Sequence, residues 1–181
     1  MPTDTPICDY GWKAQPFSLK DPGGQEYAMA DLMGENGLLI AFICNHCPYV
    51  VAIIDRLVSD IEVLRECGVG ALAVMPNDYE RYAADAPPQM MTFAQERGFS
   101  FPYLIDDQQS VARAYGAVCT PDFFGFNSSF ELQYRGRLDD AGRGDPTGRT
   151  PELVNAMKQV AKTGQGPQEQ IPSMGCSIKW R

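Results

Sequence analysis

Between residues 50 and 68 the apolar side chains fall three and four apart. Val50, Val51, Ile54, Leu57, Val58, Ile61 and Leu64 form one stripe, with Asp55, Arg56, Asp60 and Glu62 between them. This 3.6-residue period predicts an amphipathic helix closed by Gly68. The flanking segments have no such period. "LLIAFI" (38–43), "VGALAVMP" (69–76) and "FPYLID" (101–106) are continuous apolar runs of strand length, the pattern of strands buried on both faces. Residues 16–32 alternate around Pro22-Gly23-Gly24 and predict an N-terminal hairpin.

Further along, residues 79–97 predict a helical region interrupted by Pro87-Pro88, and "QQSVARAYG" predicts a short helix closed by Gly116. "DFFGFN" and "ELQYRGRLD" predict an antiparallel hairpin turning at Asn127-Ser128-Ser129, followed by a loop over "AGRGDPTGR". Thr150 is the expected N-cap of a last helix, with Pro151 at its first position and Glu152 in its first turn. Residues 164–181 show no period and are expected to be an irregular C-terminal tail, and Cys8 is expected in a frayed N-terminus. The order of elements predicts an α/β fold with a mixed central sheet flanked by helices. The chain has no internal repeat.

Composition narrows the function. With 181 residues, 44% hydrophobic and 21% charged, the chain is expected to form one domain over 1–181 with a real core. A net charge of −8 argues against a nucleic-acid surface. The N-terminus has no basic segment followed by an apolar run, and no apolar run is long enough to span a bilayer, so a cytoplasmic protein without a membrane partner is expected. Six cysteines at this length do not make a disulfide scaffold. In a reducing compartment they are expected as free thiols, and any disulfide as functional.

The chemistry concentrates in "FICNHCPYV" (42–50), where the sole histidine, His46, lies between Cys44 and Cys47 and Pro48 follows. A strand-to-helix junction suits thiol chemistry, because free N–H groups and the helix dipole favour an anion there. A free cysteine of pKa about 8.5 is lowered to roughly 3.5–7.5 by a helix start or a neighbouring imidazolium. Three readings stand: a thiol–disulfide pair, half of a metal site, and a helix start with incidental thiols. A zinc site wants a second close ligand pair, and none follows, so no metal or cofactor is expected. "VCTPDFF" sets Thr120-Pro121 before a strand and Cys119 two residues ahead of the proline. Cys119 and Cys176 are secondary thiol candidates with inert readings beside them, since free cysteines are commonly small core residues. Arg135, Arg137, Asp139 and Asp140 flank a strand end and read as a solvated hairpin edge or as substrate-orienting groups.

The strand–Cys-x-x-Cys–helix unit, the Thr120-Pro121 step and the closing helix resemble the thioredoxin fold. "QPFSLKDPGGQEYAMADL" is similar to the start of the redoxin and peroxiredoxin branch, and "FICNHCPYV", "TPDFFGFN", "YRGRLDD" and "GCSIKW" to its uncharacterised peroxiredoxin-like members. The resemblance covers nearly the whole chain. It implies Cys44 as attacking thiol, Cys47 as resolving thiol and Pro121 in the cis form. The peroxidatic pattern P-x-x-x-T-x-x-C is not matched: with Cys47 as the cysteine, Ile40 stands for the proline and Cys44 for the threonine. The expected function is a thiol–disulfide oxidoreductase acting on a protein or small-molecule disulfide, with an external thiol as reductant. A thiol-dependent peroxidase and a non-catalytic redox-sensing or metal-holding module are the alternatives.

Overall fold

The computed structural model describes residues 1–181. Ten strands are present: β1 (Pro2–Asp4), β2 (Ser18–Lys20), β3 (Glu26–Ala28), β4 (Gly37–Phe42), β5 (Val69–Met75), β6 (Tyr103–Ile105), β7 (Cys119–Thr120), β8 (Asp122–Phe126), β9 (Leu132–Tyr134) and β10 (Met174–Ser177). The helices are α1 (Pro48–Val51), α2 (Ile54–Glu66), α3 (Pro87–Glu96), α4 (Ser110–Tyr115) and α5 (Glu152–Thr163). Seven strands form one mixed sheet in the order β3-β2-β6-β5-β4-β8-β9. Its centre, β4, β5 and β6, is parallel, and β8 joins β4 antiparallel, with Leu38 opposite Phe126 and Phe42 opposite Asp122.

The apolar runs are continuous because both sheet faces are covered. Leu39, Ala41 and Ile43 face a core built with α2, α3 and α5; Leu38, Ile40 and Phe42 face a second core built with α4 and Tyr115. Side chains alternate across a strand, so each run supplies both layers. The arrangement is the mixed α/β fold expected from the element order, and the thioredoxin-like fold that the resemblance implies.

Several details depart from the expectations. The helical stripe that begins at Val50 is two helices, α1 and α2, joined through Ala52 and Ile53. Pro87 and Pro88 start α3 instead of interrupting a helix, since a helix start has no use for their missing N–H groups. Pro151, not Thr150, is the N-cap of α5, and the Thr150 N–H is taken by Asp140 at 2.7 Å. The tail is not irregular throughout. Its β10 lies between β1 and β7 in a second, three-stranded antiparallel sheet, with Cys176 opposite both Pro2 and Thr120. The N-terminus is correspondingly tied into that sheet, and Cys8 is partly buried against the second core.

Asp139 holds the loop after β9. Its fully buried carboxylate meets Arg56 of α2 at 2.7 Å and Arg149 at 3.2 Å, and accepts the N–H groups of Ala141 and Gly142. Asp139 is thus part of a structural clamp and not of a solvated hairpin edge, while Asp140 is exposed. Removing the carboxylate leaves two largely buried guanidinium groups short of a partner. Asp139→Ala is expected to lower the unfolding free energy by about 3 kcal/mol in urea titration; a loss within 0.5 kcal/mol, the range of an ordinary surface substitution at about ±0.5 kcal/mol, would show that the clamp is idle.

Candidate active site

The end of β4 runs into the Cys44–Cys47 turn, and α1 begins immediately after it. Cys47 is the N-cap of α1, with Pro48 inside the first turn. Cys44 therefore lies ahead of the helix and Cys47 at its start. Both thiols are enclosed, at 1% and 0% exposure. Both are free cysteines.

Thr120 joins them. Its hydroxyl lies 3.3 Å from Cys44 Sγ, and its carbonyl accepts the Cys47 thiol at 3.1 Å. The Thr120–Pro121 peptide bond is cis. Behind it, the Ser173 hydroxyl donates to the Pro121 carbonyl at 2.9 Å.

A fully buried carboxylate, Asp85, orders the turn from the other side. It accepts the Asn45 N–H at 2.8 Å and the Asn77 side-chain amide at 2.9 Å, and pairs with His46 Nδ1 at 2.8 Å. Asn45 is held further by Tyr103, whose hydroxyl donates to its Oδ1 at 2.9 Å, and by the Ala84 carbonyl. Burial pushes the Tyr103 phenol well up, so it acts as a neutral donor. His46 is one-third exposed and stacks parallel on Tyr82, ring centres 5.9 Å apart.

The two thiols are electrostatically unequal. The Cys47 thiol is pushed down to about 4 by the hydrogen bond from Cys44, against the cost of burial and with help from the N–H groups of Cys176 and Val50 and the Cys176 thiol. The Thr120 carbonyl works the other way, since it accepts only from a protonated sulfur; several donors outweigh that one acceptor. Cys44 is pushed up by its bond to Cys47, by burial and by the Asp85 charge. The direction of both shifts, together with the place of Cys47 at the start of α1, favours the thiolate on Cys47.

The remaining candidates separate clearly. Cys176 joins the pair: it packs against the same core as Cys44 and Cys47, lies opposite Thr120 in the strand pairing, and its thiol is pushed up by burial and by the neighbouring Cys47. Cys119 does not. It precedes Thr120 in the same strand and so points to the opposite face; its thiol approaches the Pro121 carbonyl at 3.5 Å, and burial pushes it up. Arg135 and Arg137 are bound to Asp122 and Glu152.

Cys44, His46 and Asp85 each offer a ligand atom, all within 4.8 Å of one another, which is the ligand count of a catalytic zinc site. The Asp85 oxygens, however, already accept from Asn45, Asn77 and His46, so the cluster is satisfied as a hydrogen-bonded unit. Asp85, Asn77, Tyr82 and Tyr103 carry no sequence motif that would mark them. A cavity of about 470 Å³ opens on the Pro121 side of the turn, with Tyr49, Ile53, Phe123 and Met174 among its walls and Arg143 stacked on Tyr49 at 5.0 Å.

The model of the AhpC/TSA family matches residues 10–141. A curated Mycobacterium tuberculosis protein named "Putative peroxiredoxin" is 22% identical over 162 residues, 90% of this chain and 92% of that one. Two solved structures are similar over nearly the whole chain. An uncharacterized conserved protein from Geobacillus kaustophilus is 37% identical with a TM-score of 0.93, covering 100% of this chain and 97% of that one. A hypothetical protein from Sinorhizobium meliloti 1021 is 36% identical with a TM-score of 0.92, covering 99% and 98%. No helix is long and apolar enough to cross a membrane.

The unequal pair has a pH signature. The thiolate ultraviolet absorbance of the reduced protein is expected to titrate near about 4 and to vanish in Cys47→Ser. In Cys44→Ala it should titrate higher, because the donor is gone. A depressed folded pKa means that the unfolded chain binds the extra proton. Relative to Cys47→Ser, the reduced protein should therefore gain stability as pH rises from about 4 to about 8.5, and lose it as pH falls back. An absorbance change that persists in Cys47→Ser and disappears in Cys44→Ser would reverse the assignment.

Proposed function

We propose, from the premise that this chain belongs to the AhpC/TSA family and carries thiol-based redox chemistry on protein or small-molecule thiols, that it is a thiol–disulfide oxidoreductase working through Cys44 and Cys47. The observation that carries this reading is the pair itself: two free thiols bound to opposite ends of one residue, Thr120, with a low-pKa sulfur at the start of α1.

In this mechanism the Cys47 thiolate attacks one sulfur of a disulfide. The S–S bond breaks, one thiolate leaves and takes a proton, and the other half stays on Cys47 as a mixed disulfide. Cys44 then loses its proton and attacks Cys47 Sγ, expelling the second thiolate and closing the Cys44–Cys47 disulfide. Two electrons pass from the pair to the substrate, and an external thiol or dithiol restores the reduced form. His46, oriented by Asp85, is the titratable group beside Cys44 that can take its proton. The cavity beside Pro121 offers an apolar wall to a docking partner.

A peroxidase is the second reading, favoured by the family and by a thiolate seated at a helix start. Against it stands the group facing that thiolate. Cys44 occupies the place where the peroxidatic pattern has a threonine hydroxyl, and a buried thiol is a weaker donor for orienting a peroxide. Stopped-flow rate constants separate the two. The protein should exchange with a model disulfide faster than it reacts with hydrogen peroxide, and Cys47→Ser should abolish formation of the Cys44–Cys47 disulfide. A peroxide rate constant above about 10⁴ M⁻¹s⁻¹, the lower end of ordinary enzyme efficiency, would promote the peroxidase.

A further inference from the structure

The reading of Cys44 and Cys47 as an exchange pair leaves one physical problem. Both sulfurs are enclosed, and neither lines the adjoining cavity. Thiol–disulfide exchange needs the attacking sulfur to reach the disulfide it attacks. The site holds a third thiol that is partly exposed: Cys176, on β10.

We propose that Cys176 is a third redox residue, relaying disulfide exchange between solvent and the buried Cys44–Cys47 pair. This rests on the exchange function of the pair and adds the route by which a substrate disulfide reaches it.

Three observations support the relay. First, β10 pairs Cys176 directly with Thr120, the residue that holds both other sulfurs. Second, the approach is built in. A Cβ on Gly175 would overlap the Thr120 carbonyl, so glycine alone lets the strand lie this close. Third, the segment after Cys176 is anchored to the framework that orders the Cys44–Cys47 turn. The Lys179 N–H donates to Asn77 Oδ1 at 2.9 Å, and the Asn77 amide donates to Asp85. Cys176 also packs against the core that holds Cys47, and Cys47 is itself bonded to the Thr120 carbonyl, so the two sulfurs meet around one residue.

The steps balance. Burial and the neighbouring Cys47 push the Cys176 thiol up, so Cys176 first gives up its proton to water; its sulfur then attacks a disulfide RS–SR, that S–S bond breaks and the first RS⁻ leaves and is protonated. Cys47 thiolate attacks Cys176 Sγ in the mixed disulfide, releasing the second RS⁻ and forming a Cys47–Cys176 disulfide. Cys44 gives up its proton and attacks Cys47 Sγ, releasing Cys176 as thiolate. The products are two RSH and a Cys44–Cys47 disulfide, and a dithiol reductant returns the electrons by the same route in reverse.

The test oxidises reduced full-length protein with oxidised glutathione, quenches with acid and maps disulfides by mass spectrometry. Wild type should end with Cys44–Cys47 bonded, and Cys44→Ser should trap Cys47–Cys176. In Cys176→Ser, formation of the Cys44–Cys47 disulfide should slow by about tenfold or more, as the buried thiolate loses its access route. Cys67→Ser, at the far end of α2, should react at the wild-type rate. A Cys44→Ser protein that carries glutathione on Cys47 with Cys176 free would overturn the relay, and so would an unchanged rate in Cys176→Ser. Wild type that never forms the Cys44–Cys47 disulfide would instead count against the pair on which the relay rests.

Discussion

Thr120 meets three partners at once: Cys44 through its hydroxyl, Cys47 through its carbonyl and Cys176 through the strand pairing of β7 with β10. A residue with such demands has to be held from outside. The chain on either side of Pro121 is pinned by Asp122, which accepts the Val118 N–H at 3.2 Å and two bonds from Arg135 at 3.3 and 2.9 Å. Arg135 in turn donates to the Gly116 carbonyl and lies over the Phe124 ring. The buried ion pair between β8 and the residue after β9 thus braces the chain on the far side of Pro121 from Thr120.

The second constraint is electrical. Two sulfurs three positions apart see opposite surroundings. Cys44 faces a carboxylate that is buried and hydrogen-bonded but not neutralised by a lysine or arginine, while Cys47 faces the open end of a helix. Each pKa unit of difference is about 1.4 kcal/mol of preference for the proton on one sulfur over the other. A proton shared within the pair is therefore strongly polarised toward Cys44. In the proposed exchange this asymmetry would give the two thiols separate tasks: one ready as a nucleophile, the other reactive only after its proton has been removed.

What could be read from the sequence follows the range of the interaction. The buried strands were legible because a sheet covered on both faces needs unbroken apolar runs, as in residues 38–43. The Cys44–Cys47 motif was legible because its parts are adjacent. Asp85 was not, because its partners, Asn45 and His46, lie some forty positions upstream and no local pattern marks an acid in "AADAPP" as buried. β10 was missed for a similar reason. Four residues are too few to show a period, and the partners that make them a strand, β1 and β7, lie far off in sequence. The helix boundaries at Pro87 and Pro151 shifted because proline marks a start without saying which side of it the first turn lies.

Trp180, four residues beyond Cys176, rests on the Arg113 guanidinium at 4.4 Å and packs against the second core. The other tryptophan, Trp12, sits edge-on to Tyr115 in the same core. Indole emission is sensitive to a nearby cation and to water. Light from the final turn of the chain therefore carries information about whether that segment is seated, so the protein has an intrinsic optical handle within a few residues of its sulfur chemistry and requires no attached dye to follow it.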